Sequence, residues 1–196
     1  MSAAAHGGPV VGVLGLQGAV RPHRRVLESL GAAVRDVRLP DHLDGLDALV
    51  LPGGESTTIG MLLDSSGLRE PLGAAIDGGL PVLATCAGVI VLAQEVIDGR
   101  PDQVPLGRLG VVVRRNAYGR QVDSFEADVA VQGWAQPFPA VFIRAPVIEQ
   151  CGDEVEIMAE QERAPVLVRQ GDMLAATFHP ELSGDPRIHE LFLGGI

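Results

Sequence analysis

The chain has 196 residues, 46% of them hydrophobic, 20% charged and 4% aromatic, with a formal net charge of −10. That balance suits one globular domain with a substantial core, and acidity without any basic run or stripe excludes a reader of phosphate backbones, so no nucleic-acid partner is expected. No apolar run approaches the ~18 residues of a membrane span, and Cys86 and Cys151 make neither a C-x-x-C pair nor a metal-ligand spacing with histidine, so no metal, cofactor or disulfide framework is expected and a reducing cytoplasmic setting fits.

The opening "MSAAAHGGP" carries neither a charged n-region nor an apolar h-region and reads as a disordered tail over residues 1–9, ahead of a single domain over 10–196. "VVGVLGL", from Val10 to Leu16, is apolar nearly throughout, as a parallel strand covered on both faces should be. A helical stretch follows Gln17-Gly18 and runs to Leu30, with Gly31 placed as its stop. "AAVRDVRL" reads as a second strand and "LDALVLP" as a third, ending abruptly in "GGES". Two helical segments separated near Gly67 lead to the strand "LPVLAT", which meets Cys86. The apolar run to Val96 beyond it has helical spacing. This alternation predicts an α/β fold with an open, mostly parallel sheet and helices on both faces in three layers.

After Gly99 the character changes. "GVVVRR", "FEADVAVQG", "AVFIRAP", "EVEIMAE" and "APVLVRQGDMLAATF" are short strand candidates that predict an antiparallel extension in the second half. "RQGD" marks a hairpin turn in the last of them. "DPRIHELFL" reads as a closing helix with Asp185 as N-cap and Pro186 at its first position.

Three elements carry chemistry. Sites in open α/β sheets form beyond the carboxyl ends of strands, and Cys86 sits at such an end, at the joint between a strand and a helix N-terminus. A buried cysteine is most often an inert small hydrophobe, but a nucleophile on a sharp strand-to-helix turn is presented to a substrate, and a helix N-terminus favours a thiolate. The Ala87 N–H then points toward a developing oxyanion, and Gly88 permits close packing of helix on strand. In "FHPEL", residues two apart in an extended chain face the same way, so Glu181 is placed to orient the His179 ring toward a thiol. That is the nucleophile, base and orienting-group pattern of covalent catalysis. "LPGGEST" supplies two glycines at a strand end, a source of uncovered N–H groups such as that of Gly54. It lacks the lysine of a phosphate-binding loop.

In this order the motifs resemble the class I, triad-type glutamine amidotransferases. The likeness extends further: "GVLGLQGAVRPH", "LPGGESTT", "TCAG", "RRNAYGRQVDSFEADV", "VFIRAP" and "TFHPEL" resemble the glutaminase subunits of pyridoxal 5′-phosphate synthase over about Val10 to Phe192. The resemblance implies hydrolysis of L-glutamine to L-glutamate and ammonia through a thioester on Cys86, with His179 as base and acid and Glu181 as its partner. It implies an oxyanion site at Gly54 and Ala87 and a glutamine pocket lined by Gly54, Glu55, Ser56, Arg115, Ile143 and Arg144, with Gln17 beside it in an activation loop. It also implies delivery of ammonia to a (β/α)₈ barrel synthase subunit within a large hetero-oligomer. The chain departs from the resemblance at Ala84, where glycine is usual, at Tyr118, where phenylalanine is expected, and at "LFLGGI", where the closing helix usually continues. The alternatives are the glutaminase subunit of another amidotransferase, such as imidazole glycerol phosphate synthase, a standalone γ-glutamyl cysteine hydrolase, and a non-catalytic partner domain.

Overall fold

The computed structural model describes residues 7–100, 104–115 and 124–196. In chain order the elements are β1 (Val10–Leu14), α1 (Val20–Ser29), β2 (Ala33–Val37), β3 (Ala48–Leu51), α2 (Ser56–Ser65), α3 (Arg69–Asp77), β4 (Val82–Thr85), α4 (Ala87–Leu92), β5 (Ala93–Ile97), β6 (Leu109–Arg114), β7 (Ser124–Val129), β8 (Phe138–Ile143), β9 (Val147–Cys151), β10 (Glu156–Gln161), β11 (Ala164–Gln170), β12 (Met173–Ala176) and α5 (Arg187–Leu193). The central sheet runs β10-β11-β12-β4-β3-β1-β2. Its pairs from β12 to β2 are parallel, and β10, β11 and β12 are joined antiparallel. Of the expected antiparallel extension, β10, β11 and β12 continue the central sheet, whereas β6 lies with β5 and β9 in a second sheet and β7 pairs with β8 in a third.

The near-continuous apolar strands are explained by two cores, one on each face. Leu14, Leu49, Leu51, Val82 and Ala84 pack with Ile59 and Leu63 of α2 and Leu72 of α3. A second sheet, β5-β6-β9, adds Val111, Val113 and Ile148 to that side. Val11, Val13, Val50, Leu83 and Leu174 point the other way, onto Leu27 of α1, Ile188 and Phe192 of α5, and Phe138 and Phe142 of the β7-β8 ribbon. Strand alternation distributes successive residues between the two cores.

Three local expectations change. The helix after Cys86 ends at Leu92, and Ala93 (φ −53°, ψ 155°) begins β5, so the apolar run to Val96 is half helix and half strand. Period alone does not separate the two in so short a run. At the last helix the first helical residue is Arg187, and Pro186 occupies the boundary position. Asp185 still serves the helix end, since its Oδ1 accepts the Arg187 N–H at 3.0 Å. "VIEQC" forms β9, which pairs antiparallel with β6. The hairpin at "RQGD" is as expected: Gln170 faces Met173, and Gly171 takes φ +54°. Tyr118 and most of "RRNAYGRQVD" lie outside the described residues.

Candidate active site

Strand β4 ends at Thr85, and the next residue, Cys86, is 6% exposed and holds φ +47°, ψ −108° at the head of α4. A non-glycine residue rarely adopts such a conformation, and the surroundings hold it there. The Cys86 N–H donates to Ala176 O of the neighbouring strand at 2.8 Å. Immediately beyond, a Cβ on Gly88 would lie 2.1 Å from Leu51 O, so only glycine lets α4 sit this close to β3. The departure at Ala84 is accommodated because that residue is ordinary strand, buried and paired with Leu51 and Ala175, and the positive φ falls two positions later.

His179 arrives from the end of β12, with its backbone N–H on Val141 O at 2.8 Å. Its Nδ1 lies 2.7 Å from Glu181 Oε1, and its ring and the Cys86 side chain both stand against Gly53. Pro180–Leu182 forms a 3-10 turn rather than extended chain. The pairing of His179 with Glu181 thus comes from a tight turn, not from strand alternation. Burial works against charging His179, yet its interactions with Cys86 and Glu181 raise it to about 10. The Glu181 carboxyl is pushed up by burial, but His23 and His179 bring it below its ordinary value. A thiol facing an imidazole that favours its cationic form is set up for transfer of a proton from sulfur to nitrogen.

The loop after β3 supplies the opposite wall. A Cβ on Gly53 would stand 2.4 Å from His179 Cε1 and 3.2 Å from Cys86 Cβ. Gln17 Oε1 accepts the Glu55 N–H at 2.8 Å and crosses Gly54 closely enough that a Cβ there would lie 2.3 Å from it. Glu55 caps α2, accepting from the Thr57 and Thr58 N–H groups at 3.1 and 2.7 Å. Burial opposes its ionisation, but the bonds from Thr58 and Thr57 lower it to about 2. Arg115 reaches this carboxylate at 2.9 Å and Thr57 Oγ1 at 2.9 Å.

Between these walls lies a cavity of about 320 Å³. Gln17, Gly54, Glu55, Ser56, Cys86, Ala87, Arg115, Ile143, Arg144 and His179 all line it, and Glu181 stands behind His179. Every site residue expected from the sequence is therefore in this one region. Cys86 Sγ lies 3.8 Å from Ile143 O, and the next residue, Arg144, is a second strained position at φ +44°. Gly18, Ala19, Gly53 and Ile90 also line the cavity and were not singled out from the sequence. Gly53 was legible as half of the "GG" pair, whereas Ile90 looks like any core residue. Among the described residues no group of His, Cys, Asp and Glu is arranged to hold a metal ion.

A parallel sheet, a cysteine on a strained elbow and a His-Glu pair facing it make up the framework of the triad-type glutamine amidotransferases. A crystal structure of a glutamine amidotransferase superposes with a TM-score of 0.89 at 50% identity, covering 95% of this chain and 99% of that one. A glutamine amidotransferase from Thermotoga maritima, only 13% identical, shares the fold at a TM-score of 0.62 over 97% of this chain and 95% of its own. The chain belongs to the SNO glutamine amidotransferase family, whose model matches residues 13–196. Its relatives include the pyridoxal 5′-phosphate synthase subunit PdxT of Frankia alni, 58% identical over 95% of this chain and 94% of the relative. PdxT of Mycobacteroides abscessus is 52% identical over 94% of this chain and 96% of its own.

Proposed function

We propose that this chain hydrolyses L-glutamine and passes the ammonia to a pyridoxal 5′-phosphate synthase partner. The reading is carried by the convergence of Cys86, His179 and Glu181 on a cavity whose far wall is the ion pair of Glu55 and Arg115. The family and the PdxT relatives support the partner.

The reaction follows from the groups present. His179 takes the thiol proton, and the Cys86 sulfur bonds to the side-chain amide carbon of glutamine. The resulting oxyanion is held by the N–H groups of Ala87 and Gly54, each such donor contributing ~3–4 kcal/mol to lowering the barrier. His179 then returns its proton to the departing nitrogen, which leaves as ammonia, and a γ-glutamyl thioester remains. Water adds to that thioester with His179 as base, the C–S bond breaks, and glutamate leaves. Glu55 suits the ammonium of the substrate, and Arg115 and Arg144 suit its carboxylate. Gln17 ties the loop after β1 to the loop after β3 and belongs to the activation of the oxyanion site.

The partner is a (β/α)₈ barrel subunit in a large hetero-oligomer, and the work takes place in the cytoplasm, where Cys86 and Cys151 stay reduced. Glutamate release from glutamine, measured with and without the purified barrel subunit, tests the reading. Strong activation by the barrel is expected. Equal release without it would replace this reading with a standalone hydrolase, and no release in either case would overturn it. Cys86→Ala should abolish release, and His179→Asn should lower it on the order of 10⁴-fold, because members of a triad act as a unit. Cys151→Ser should release glutamate at the parent rate.

A further inference from the structure

Behind the triad lies a polar cluster that the reaction above does not use. His23 of α1 and His189 of α5 are fully buried, as is Thr85 at the end of β4. His23 Nδ1 is 3.0 Å from His189 Nε2, and His23 Nε2 is 3.1 Å from Thr85 Oγ1 and 3.3 Å from Glu181 Oε2. Thr85 Oγ1 also accepts the Gly53 N–H at 3.1 Å. The cluster thus touches the carboxylate that holds His179 and, through Thr85, the loop on the other side of the cavity.

Two atoms in this region have no hydrogen-bond partner, Glu181 Oε2 and His189 Nδ1. Such buried orphans are rare and call for a reason. The proton arrangement of the two histidines accounts for the second, and His23 Nε2 stands 3.3 Å from the first. If His23 carries its proton on Nε2, that N–H is directed at Thr85 Oγ1 with Glu181 Oε2 beside it. His23 Nδ1 is then a bare acceptor, and His189 must donate to it from Nε2. That leaves His189 Nδ1 as an unprotonated lone pair, which is the less costly group to strand in a core. Burial keeps both imidazoles neutral, so His23 meets the carboxylate as an N–H dipole rather than as a full charge.

We infer that His23 is a positioning residue for the triad, that its Nε2–H, bonded to Thr85 Oγ1, sets its dipole against the Glu181 carboxylate from behind at 3.3 Å, and that His189 fixes the His23 tautomer. The groups facing His23 are Glu181, Thr85 and His189, with His179 beyond Glu181. This inference rests on the glutaminase reading, and its test separates the two.

In a Cys151→Ser background, the rate of Cys86 alkylation by iodoacetamide is followed against pH, which needs neither glutamine nor partner. Without His23 the Glu181 carboxylate is no longer fixed behind His179, and the imidazolium loses its aligned counter-ion. His23→Leu should therefore move the alkylation curve to higher pH. His23→Gln, whose amide can place a donor near Nε2, should restore most of the parent curve. With glutamine and the barrel subunit, His23→Leu should lower kcat about tenfold with little change in KM, a scale usual for groups that orient a functional imidazole. The acid limb of its rate profile should move to higher pH, because Glu181 then protonates more readily. Should His23→Leu not fold, His189→Leu, which frees the tautomer, should shift the same curve in the same direction by less. Parent-like curves for the Leu variants, or equal effects of Leu and Gln at position 23, would overturn the inference. Failure of the parent to release glutamate while the alkylation shifts persist would overturn the glutaminase reading alone.

Discussion

His179 and His189 are both buried, and their surroundings drive them apart. Burial, reinforced by His23, lowers His189 to about 3, while Cys86 and Glu181 raise His179 to about 10 against its burial. In the unfolded chain both titrate near 6.5. The unfolded chain therefore binds the His189 proton before the fold does, so stability from this residue is full above pH 6.5 and is lost as pH falls toward 3. For His179 the sign reverses: its contribution is full below pH 6.5 and is lost as pH rises through 10. Thermal unfolding should be most resistant near pH 6.5, and His189→Leu should narrow the gap in Tm between pH 7 and pH 5. An unchanged gap would mean that His189 is not neutral in the fold. Neither role was visible in the sequence. His23 stands in an ordinary amphipathic helix and His189 in another, 166 positions later, and no local pattern says that the two faces meet. Cys86, by contrast, was legible because a strand, a turn and a helix start are all written next to it.

At the scale of elements, legibility followed turn chemistry. Gly171 announced the hairpin between β11 and β12, whereas the hairpin between β10 and β11 turns on Glu162 and Arg163, at φ +52° and +71°. Two successive left-handed residues form a type I′ turn, for which Asn-Gly is the favoured pair. A Glu-Arg pair gives no sequence signal and carries strain of its own. Arg163→Gly should stabilise the protein by about 1 kcal/mol, since relief of the left-handed side chain exceeds the added freedom of the unfolded chain. Chemical denaturation measures this directly, and a loss of stability would show that the arginine side chain contributes more than its backbone costs. The short α4 was hidden for a different reason. Ala87 to Val96 is apolar enough for either structure, and the pairing of Ala93, Glu95 and Val96 with β6 makes its second half a strand.

At the scale of the whole molecule, the layer architecture was legible because strands buried on both faces leave almost no polar positions. The site was legible as a set of motifs, not as a distance map. Loops after β1, β3, β4, β6, β8 and β12 all reach one cavity, brought there by the order of the central sheet and by the two smaller sheets that carry β6 and β8. That order seats β12 between β11 and β4, although more than eighty residues separate β4 from β12 in the chain. A chain cut after residue 170 should leave β4 as an open apolar edge and collect in the insoluble fraction. Recovery of that piece as a soluble monomer would show that the strand order is not what protects β4. The same order bears on synthesis. As the chain leaves the ribosome, Cys86 emerges long before Ala176, which receives its backbone proton, and before His179, which takes its thiol proton. Each newly made molecule carries an unarmed thiol until β12 and His179 are in place, so chains that stop short of them cannot hydrolyse glutamine.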